Sequence, residues 1–140
     1  MFLSIAYGYA VAHGFDKLVT GVCETDFSGY PDCRDLFICK LEEALSEGYA
    51  TTQCNPTIET PLMQLNKAQT FKLAFDIGEL GTVLKSRSCY NGLGKMSPWG
   101  PGCGDCPSCS LRKKGWEAFL EGLFEEDEAK ALEISAKITL

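Results

Sequence analysis

The sequence predicts an α/β fold with a cysteine-rich lobe towards its carboxyl end. A helix-like segment, a short apolar strand and a polar loop follow one another within residues 1–30. This order is typical of open α/β sheets, in which ligands lie beyond the carboxyl ends of the strands. Four cysteines then fall within residues 89–109, three of them separated by two-residue gaps. The chain has 140 residues, 45% of them hydrophobic, and is long enough to bury a core.

The composition argues against two kinds of partner. A formal net charge of −6 is a poor basis for binding the phosphate backbone of nucleic acids, which requires a basic face. No apolar run approaches the roughly twenty residues that a membrane-spanning helix needs. We therefore expect a globular protein with no nucleic-acid partner and no membrane partner.

The first twelve residues allow two interpretations. They are apolar and end in Ala10-Val11-Ala12, the small-x-small pattern of a signal-peptidase site. No Lys or Arg precedes the apolar run, however, and a core-facing helix is favoured because apolar residues recur at helical spacing: Phe2, Ile5, Ala6, Tyr9 and Ala10. This interpretation predicts a cytoplasmic protein with reduced thiols.

The next elements are predicted from apolar runs and from helix signals. Residues 17–22 predict a buried strand, and the polar loop that follows, residues 23–30, should face a ligand site. Pro31 predicts the start of a helix that ends at Gly48, with a buried stripe of Cys33, Phe37, Leu41, Ala44 and Leu45. Residues 57–60 predict a second short strand.

Three further helices complete the prediction. Asn66 and Gln69 form the pattern of a capping box, ahead of an apolar face of Phe71, Ala74 and Phe75. Beyond the cysteines, a short amphipathic helix is indicated by Trp116, Phe119, Leu120 and Leu123. Residues 127–138 predict a final helix.

Cys103, Cys106 and Cys109, with Cys89 upstream, outline a metal site with four sulfur ligands. A tight C-x2-C turn directs two thiolates at one point, and zinc takes four of them in a tetrahedron. Such a site carries a net charge of about −2, which nearby basic residues offset: Arg87, Lys95, Arg112, Lys113 and Lys114. Glycines and prolines between Cys89 and Cys103 suit a chain that folds back on itself.

Three other interpretations of these cysteines compete with zinc. Disulfides within the triplet would be strained, and nothing else in the chain indicates secretion. An iron–sulfur cluster is the closer rival, because ferredoxins also use C-x2-C-x2-C with a remote fourth cysteine. Buried thiols without a metal usually lie in apolar periodic segments rather than among glycines. Zinc is favoured, and the iron–sulfur alternative stays open at this point.

Four stretches of the chain resemble the 7-cyano-7-deazaguanine synthases, the preQ0 synthases of queuosine biosynthesis. They are T-G-V-C-E-T-D-F-S-G-Y-P-D-C-R (residues 20–34), I-E-T-P-L-M-x-L-N-K-A-x-T (58–70), C-Y-N-G (89–92) and G-C-G-x-C-x-x-C-x-L-R (102–112). The resemblance covers nearly the whole chain in order. It differs from the family pattern in a longer run between Cys89 and Cys103, around residues 95–101.

The resemblance implies the fold and the ligands of the protein. It implies a partial Rossmann-like sheet of the adenine nucleotide alpha hydrolase type, with flanking helices and a carboxy-terminal zinc-binding lobe. We expect residues 1–85 to form the carboxy-terminal part of an ATP-pyrophosphatase-type α/β domain and residues 86–140 to form the zinc-binding lobe. In the family, the cysteines that match Cys89, Cys103, Cys106 and Cys109 bind zinc.

The implied activity is an ATP-dependent ligase reaction that converts 7-carboxy-7-deazaguanine and ammonia to the nitrile. On this basis we expect Glu24, Asp26 and Arg34 to be catalytic. Substrate binding is assigned to Ser28, Tyr30, Asp32 and Lys67. Without the resemblance, the acidic residues would be interpreted as solvated loop carboxylates or helix caps, and Lys67 as an exposed lysine.

The family's S-G-G-x-D-S phosphate loop does not occur in this sequence. We therefore expect that ATP and Mg2+ bind only with the amino-terminal, nucleotide-binding half of the enzyme or with a second subunit, and that this chain alone is inactive. A homo-oligomer is a further alternative. In a second functional class, the chain is a stand-alone zinc-stabilised module that binds a deazapurine or a protein without ATP turnover.

Overall fold

The computed structural model describes residues 1–24, 30–50, 54–126 and Leu132. The chain forms two compact units, residues 1–65 and residues 66–140. The division predicted from the sequence lies later, after residue 85. Residues 66–85 lie in the predicted first domain but belong to the second compact unit, because the helix Lys67–Asp76 packs against a helix that follows the cysteines.

The first unit is a small mixed α/β structure. Its elements are α1 (Phe2–His13), β1 (Lys17–Val19), a 3-10 turn (Pro31–Cys33), α2 (Asp35–Gly48) and β2 (Thr57–Glu59). β1 and β2 pair in parallel, with Leu18 opposite Ile58. The helices and the small parallel sheet agree with the predicted α/β class, whereas the Rossmann-like assignment stays a prediction.

α1 buries a different face from the one predicted. Tyr7 is fully buried and Ala10 is nearly so, whereas Phe2, Ile5 and Tyr9 are 82%, 65% and 59% exposed. Leu3 and Val11, one turn on either side of Tyr7, pack against the same core. The helix is apolar on all sides, so spacing alone could not select its buried face. The Tyr7 hydroxyl donates a hydrogen bond to Asn55 Oδ1 at 2.6 Å, which accommodates its polar end.

Two further predictions about the first unit are wrong in part. β1 is half-buried at Leu18 only, with Lys17 and Val19 exposed, so it is not a buried strand. In α2 the buried residue is Ile38, and Phe37 is 39% exposed. Leu41 and Leu45 are half-buried, as predicted, and Leu45 packs against the same core as Ile38, whereas Ala44 is exposed. A 3-10 turn over Pro31–Cys33 precedes the α-helix, which begins at Asp35 and not at Pro31.

The second unit is helical in its described part. It contains α3 (Lys67–Asp76), α4 (Leu80–Lys85) and α5 (Pro107–Glu126). The predicted capping box is confirmed, since Gln69 N donates to Asn66 Oδ1 and Asn66 N donates to Gln69 Oε1, both at 2.9 Å. These bonds satisfy two backbone amides that the first turn of α3 would otherwise leave without partners.

Aromatic residues of α3 and α5 form the core of the second unit. Phe71 meets Trp116 edge to face, with ring centroids 5.2 Å apart, and Phe119 and Leu123 complete the buried cluster. The predicted apolar face of the helix after the cysteines is thereby confirmed. Apart from Leu132, the helix predicted over residues 127–138 lies outside the described residues. Within the described ranges, no helix has the length and apolar character needed to cross a membrane.

Candidate metal centre

The four cysteines predicted as metal ligands lie together in the second unit. Cys89 and Cys103 belong to the long connection between α4 and α5, Cys106 immediately precedes α5, and Cys109 lies in its first turn. Pro107 is the first residue of α5, where its fixed φ suits a helix start and its missing amide costs no hydrogen bond. The helix start therefore orients two of the four sulfurs.

The sulfur positions fit one tetrahedral ion. All four Sγ atoms lie within 4.8 Å of one another, and those of Cys103 and Cys109 are 3.9 Å apart. An ion bound by four thiolates at about 2.3 Å separates neighbouring sulfurs by about 3.8 Å. An iron–sulfur cluster would place iron and sulfide between the cysteines and spread them further. All eight cysteines lie in the described ranges, and none forms a disulfide.

Backbone amides surround these sulfurs. Cys103 Sγ accepts from the amides of Cys106 and Asp105, at 3.3 and 3.4 Å, and Cys106 Sγ accepts from the amide of Cys109 at 3.4 Å. The side-chain amide of Asn91 also donates to Cys103 Sγ, at 3.5 Å. Such donors stabilise thiolate charge and favour metal binding over protonation.

The protonation of the cluster is uneven. The amides of Cys106 and Asp105 lower the pKa of Cys103 to about 6. The pKa of Cys106 is also lowered, chiefly by the amide of Cys109. Burial raises the pKa of the Cys109 thiol to about 11. The Cys109 thiolate therefore needs a positive ion beside it, and a coordinated metal ion would supply that charge.

Two glycines allow the chain to pass close to the sulfurs. A Cβ on Gly102 would lie 2.6 Å from Cys109 Sγ, closer than packing allows. Gly104, within the first two-residue gap, has φ +88°, a conformation that side chains rarely adopt. The glycine-rich composition noted in the sequence thus serves a tight turn around the cluster.

Two hydrogen bonds join the segments that carry the ligands. Ser108 Oγ donates to the carbonyl oxygen of Ser88 at 2.7 Å, which links the start of α5 to the residue before Cys89. Arg87 donates to the carbonyl oxygen of Gly92 at 3.1 Å and closes the turn after Cys89. The sequence carried no signal for the Ser108 bond, because its two residues are far apart in the chain.

The described residues predicted around the substrate lie mostly at the start of α2. Glu24 is exposed, and its Oε2 accepts from the amide of Asp35 at 3.3 Å, so this carboxylate caps α2. Arg34 is the residue before α2, and Asp32 lies in the 3-10 turn. Tyr30 is 53% exposed. These residues come from one region of the first unit.

Three predicted site residues stand apart from that group. Asp26 and Ser28 lie outside the described residues. Lys67, the first residue of α3, is half-buried in the second unit and packs beside Gly115 of α5. The assignment of all seven predicted site residues, four at the start of α2 and these three, to catalysis and substrate binding stays a prediction.

A comparison of the sequence with known proteins identifies the family. The sequence profile described as "Queuosine biosynthesis protein QueC" matches residues 1–120, which include the whole four-cysteine cluster. The chain belongs to the QueC family. This agrees with the resemblance found in the four motif stretches.

Curated relatives agree with this family. A "7-cyano-7-deazaguanine synthase" of Burkholderia cenocepacia is 47% identical over 127 residues, which cover 87% of this chain and 51% of the relative. Proteins of the same name from Burkholderia lata and Burkholderia vietnamiensis are 47% and 46% identical over the same length. This QueC-family chain spans about half the length of the curated relatives it matches.

Proposed function

We propose that the chain contributes to a 7-cyano-7-deazaguanine synthase, an ATP-dependent ligase of queuosine biosynthesis. The carboxylate of 7-carboxy-7-deazaguanine takes AMP from ATP and releases pyrophosphate. Ammonia then displaces AMP to give the amide. A second ATP activates the amide oxygen, which leaves with AMP as the nitrile forms. The observation that carries this proposal is the family match over residues 1–120, supported by synthases 47% identical to the chain.

Zinc is the ion that we propose for the four-cysteine site. Its preference for four thiolates in a tetrahedron fits the compact, partly buried sulfurs, and such closed sites are structural rather than catalytic. When bound, the ion would supply positive charge to the buried Cys109 thiolate and hold α5 against the loop that carries Cys89. Reduced thiols are also what we expect of a protein that works in the cytoplasm.

The residues at the start of α2 are proposed to meet the reacting group. The amide of Glu24 donates to the carbonyl oxygen of Met63 at 3.1 Å, so the segments that follow β1 and β2 run side by side. In parallel sheets this carboxyl end is where ligands bind. We propose Glu24, Asp26 and Arg34 as catalytic residues. For substrate binding we propose Ser28, Tyr30, Asp32 and Lys67.

Arg34 is the residue of this set with the sharpest test. If its guanidinium binds the substrate carboxylate, Arg34→Met should lower kcat/KM by about 10- to 100-fold, the value of a charge-assisted hydrogen bond. The kcat/KM of Arg34→Lys should lie between the values of the unmodified chain and of Arg34→Met. Lys40→Met, which removes an exposed cation of α2, is the matched control. Equal kinetics for Arg34→Met and Lys40→Met would contradict the role of Arg34.

The nucleotide-binding part of the enzyme is proposed to bind at the outer edge of β1. One edge of β2 pairs with β1. At the other edge of β2, the amide of Ile58 donates to Glu42 Oε2 of α2 at 2.5 Å, so this edge is closed. The backbone groups of Lys17 and Val19 face away from β2, because bonding sides alternate along a strand. The open edge of β1 is therefore where the sheet can gain a strand.

An apolar groove borders this open edge. It lies between α1 and β1 and is lined mainly by apolar side chains, among them Phe2, Ile5, Tyr9, Phe15 and Leu18. Large exposed apolar patches commonly mark a partner surface. The matched portion is half of the relatives' length, so we propose that their remaining half covers this surface.

Ile5→Asp is expected to weaken that association. Ile5 is 65% exposed in the groove, and burying such a side chain contributes about 1.5–3 kcal/mol, which corresponds to about 10- to 100-fold in Kd. Leu36→Asp is the control, because Leu36 is 67% exposed on α2 outside the groove. Calorimetric titration with the unmatched part of the Burkholderia cenocepacia relative measures the Kd of both variants. Equal loss in the two variants would contradict this docking surface.

The proposed reaction is tested by complementation. We would mix this chain with the unmatched part of the Burkholderia cenocepacia relative, ATP, Mg2+, ammonia and 7-carboxy-7-deazaguanine, and follow the products by mass spectrometry. The nitrile, AMP and pyrophosphate should form only when both polypeptides are present. Purine binding without turnover would instead favour a stand-alone zinc-stabilised module. A zinc-loaded complex of the two polypeptides that forms no nitrile would contradict the ligase proposal.

A further inference from the structure

Arg112 is a buried cation beside the candidate metal centre. It lies on α5 three residues after Cys109 and is 8% exposed. Its Nε donates to the carbonyl oxygen of Trp99, its Nη2 to that of Val83 at 2.7 Å, and its Nη1 to Ser86 Oγ at 3.2 Å. The three acceptors come from the end of α4, the residue after it and the glycine-rich loop. The guanidinium thus joins α5 to both segments that carry the other ligands.

The charge of Arg112 needs a nearby negative group. Within the described ranges, the ion pairs join Lys17 to Glu59, Lys72 to Asp76 and Lys113 to Glu117, and none includes Arg112. Burial lowers the pKa of Arg112, and the charge of Cys109 opposes that effect. Buried charges are stable only when they are hydrogen-bonded and compensated. In the described structure, compensation comes from the charge of Cys109 and from the face of the Phe71 ring, whose centroid lies 5.9 Å from Arg112 Cζ.

The cluster in turn needs a positive group. Four thiolates around a divalent ion carry a net charge of about −2. A fixed guanidinium three residues beyond Cys109 on α5, close enough for the charge of Cys109 to act on it, offsets half of that excess without adding a ligand. We propose that Arg112 is a positioning residue of the metal centre, which fixes the loops bearing Cys89 and Cys103 and balances part of the charge of the four thiolates. The inference rests on the proposed metal site.

The loop is shaped to admit this side chain. A Cβ on Gly100 would lie 2.8 Å from Arg112 Nη2 and 2.8 Å from the carbonyl oxygen of Leu84. Gly100 is buried, so a larger residue there would have to displace the guanidinium or the end of α4. Gly100→Ala therefore disturbs Arg112 without removing its charge, and it also strains the loop backbone, because Gly100 has φ +110°.

The test is zinc affinity, measured by competition with a chromophoric chelator. Arg112→Met should weaken zinc binding by about 10- to 100-fold, as loss of outer-shell partners does in other metal sites. Arg112→Lys, which keeps the charge but loses the planar set of donors, should recover part of that loss. Lys40→Met, which removes an exposed cation of α2 in the first unit, should bind zinc as the unmodified chain does.

A second readout separates positioning from general stability. With Co2+ bound, the d–d and sulfur-to-metal absorption bands report the geometry of the four sulfurs. We expect Arg112→Met and Gly100→Ala to shift these bands, and Arg112→Lys to restore part of the original spectrum. A role confined to folding would lower the free energy of unfolding equally with and without metal and would leave both the bands and the zinc affinity unchanged.

The outcomes distinguish the two proposals. Tight zinc binding by the unmodified chain, with equal affinity and equal cobalt spectra in Arg112→Met, overturns the role of Arg112 and leaves the metal centre intact. Absence of zinc binding in the unmodified chain overturns the metal centre and the role of Arg112 with it. If Arg112→Met does not fold, the comparison of Arg112→Lys with Lys40→Met decides: equal zinc affinity and equal cobalt spectra overturn the role of Arg112, and weaker zinc binding by Arg112→Lys supports it.

Discussion

Replacing Cys106 by serine is expected to abolish zinc binding and to unfold much of the second unit. Cys106 is buried, precedes α5 and lies with three other sulfurs within 4.8 Å. In small zinc domains, metal binding supplies about 10–16 kcal/mol of folding free energy. A whole domain is stable by only about 5–15 kcal/mol. The small aromatic core formed by α3 and α5 cannot replace a loss of that size.

Metal analysis and thermal unfolding by circular dichroism measure this effect. The control is Cys39→Ser, since Cys39 is exposed on α2 and lies outside the four-sulfur group. We expect Cys39→Ser to keep its zinc and its unfolding temperature, whereas Cys106→Ser loses both. Retention of zinc and of helical signal by Cys106→Ser would show that the four sulfurs do not form a structural site.

Alanine substitutions at two glycines of α5 are expected to change stability in opposite directions. A Cβ on Gly115 would lie 2.2 Å from the Cβ of Lys67 and 3.2 Å from its backbone carbonyl carbon. The backbone of α3 must move to admit it. Overpacking of this kind costs about 1–3 kcal/mol or more, which exceeds the roughly 1 kcal/mol that alanine gains over glycine in a helix.

Gly122 provides the matched control for Gly115. It lies in the same helix, and a Cβ there would meet no atom within 4 Å. Gly122→Ala should therefore stabilise the zinc-loaded protein by up to about 1 kcal/mol. Urea unfolding measures the free energy of unfolding of the two variants, which should fall in Gly115→Ala and rise in Gly122→Ala. Stabilisation by Gly115→Ala would contradict the close crossing of α3 and α5.

The features that could be predicted from sequence are those with local causes. The cysteine spacing fixes which sulfurs can meet, and all four do meet. The capping box depends on two residues three positions apart, and both of its hydrogen bonds form. The face of α5 could be predicted because its polar residues leave only one apolar stripe.

The features that could not be predicted depend on contacts distant in sequence. α1 is apolar all round, and its buried face follows from the partner of Tyr7, Asn55, which lies 48 residues away. The burial of Arg112 follows from acceptors 13 to 29 residues upstream. The basic cluster near the cysteines was recognised in the sequence, but nothing there distinguished this one buried arginine from its exposed neighbours.

X-ray absorption at the zinc edge is the direct test of the four-thiolate zinc site. Purified as it stands, the chain should contain one zinc ion with four sulfur neighbours at about 2.3 Å and no visible colour. That result would place Cys89, Cys103, Cys106 and Cys109 around a single structural ion. Nitrogen or oxygen in the first shell, or a brown protein that contains iron and sulfide, would contradict the four-thiolate zinc centre on which this account is built.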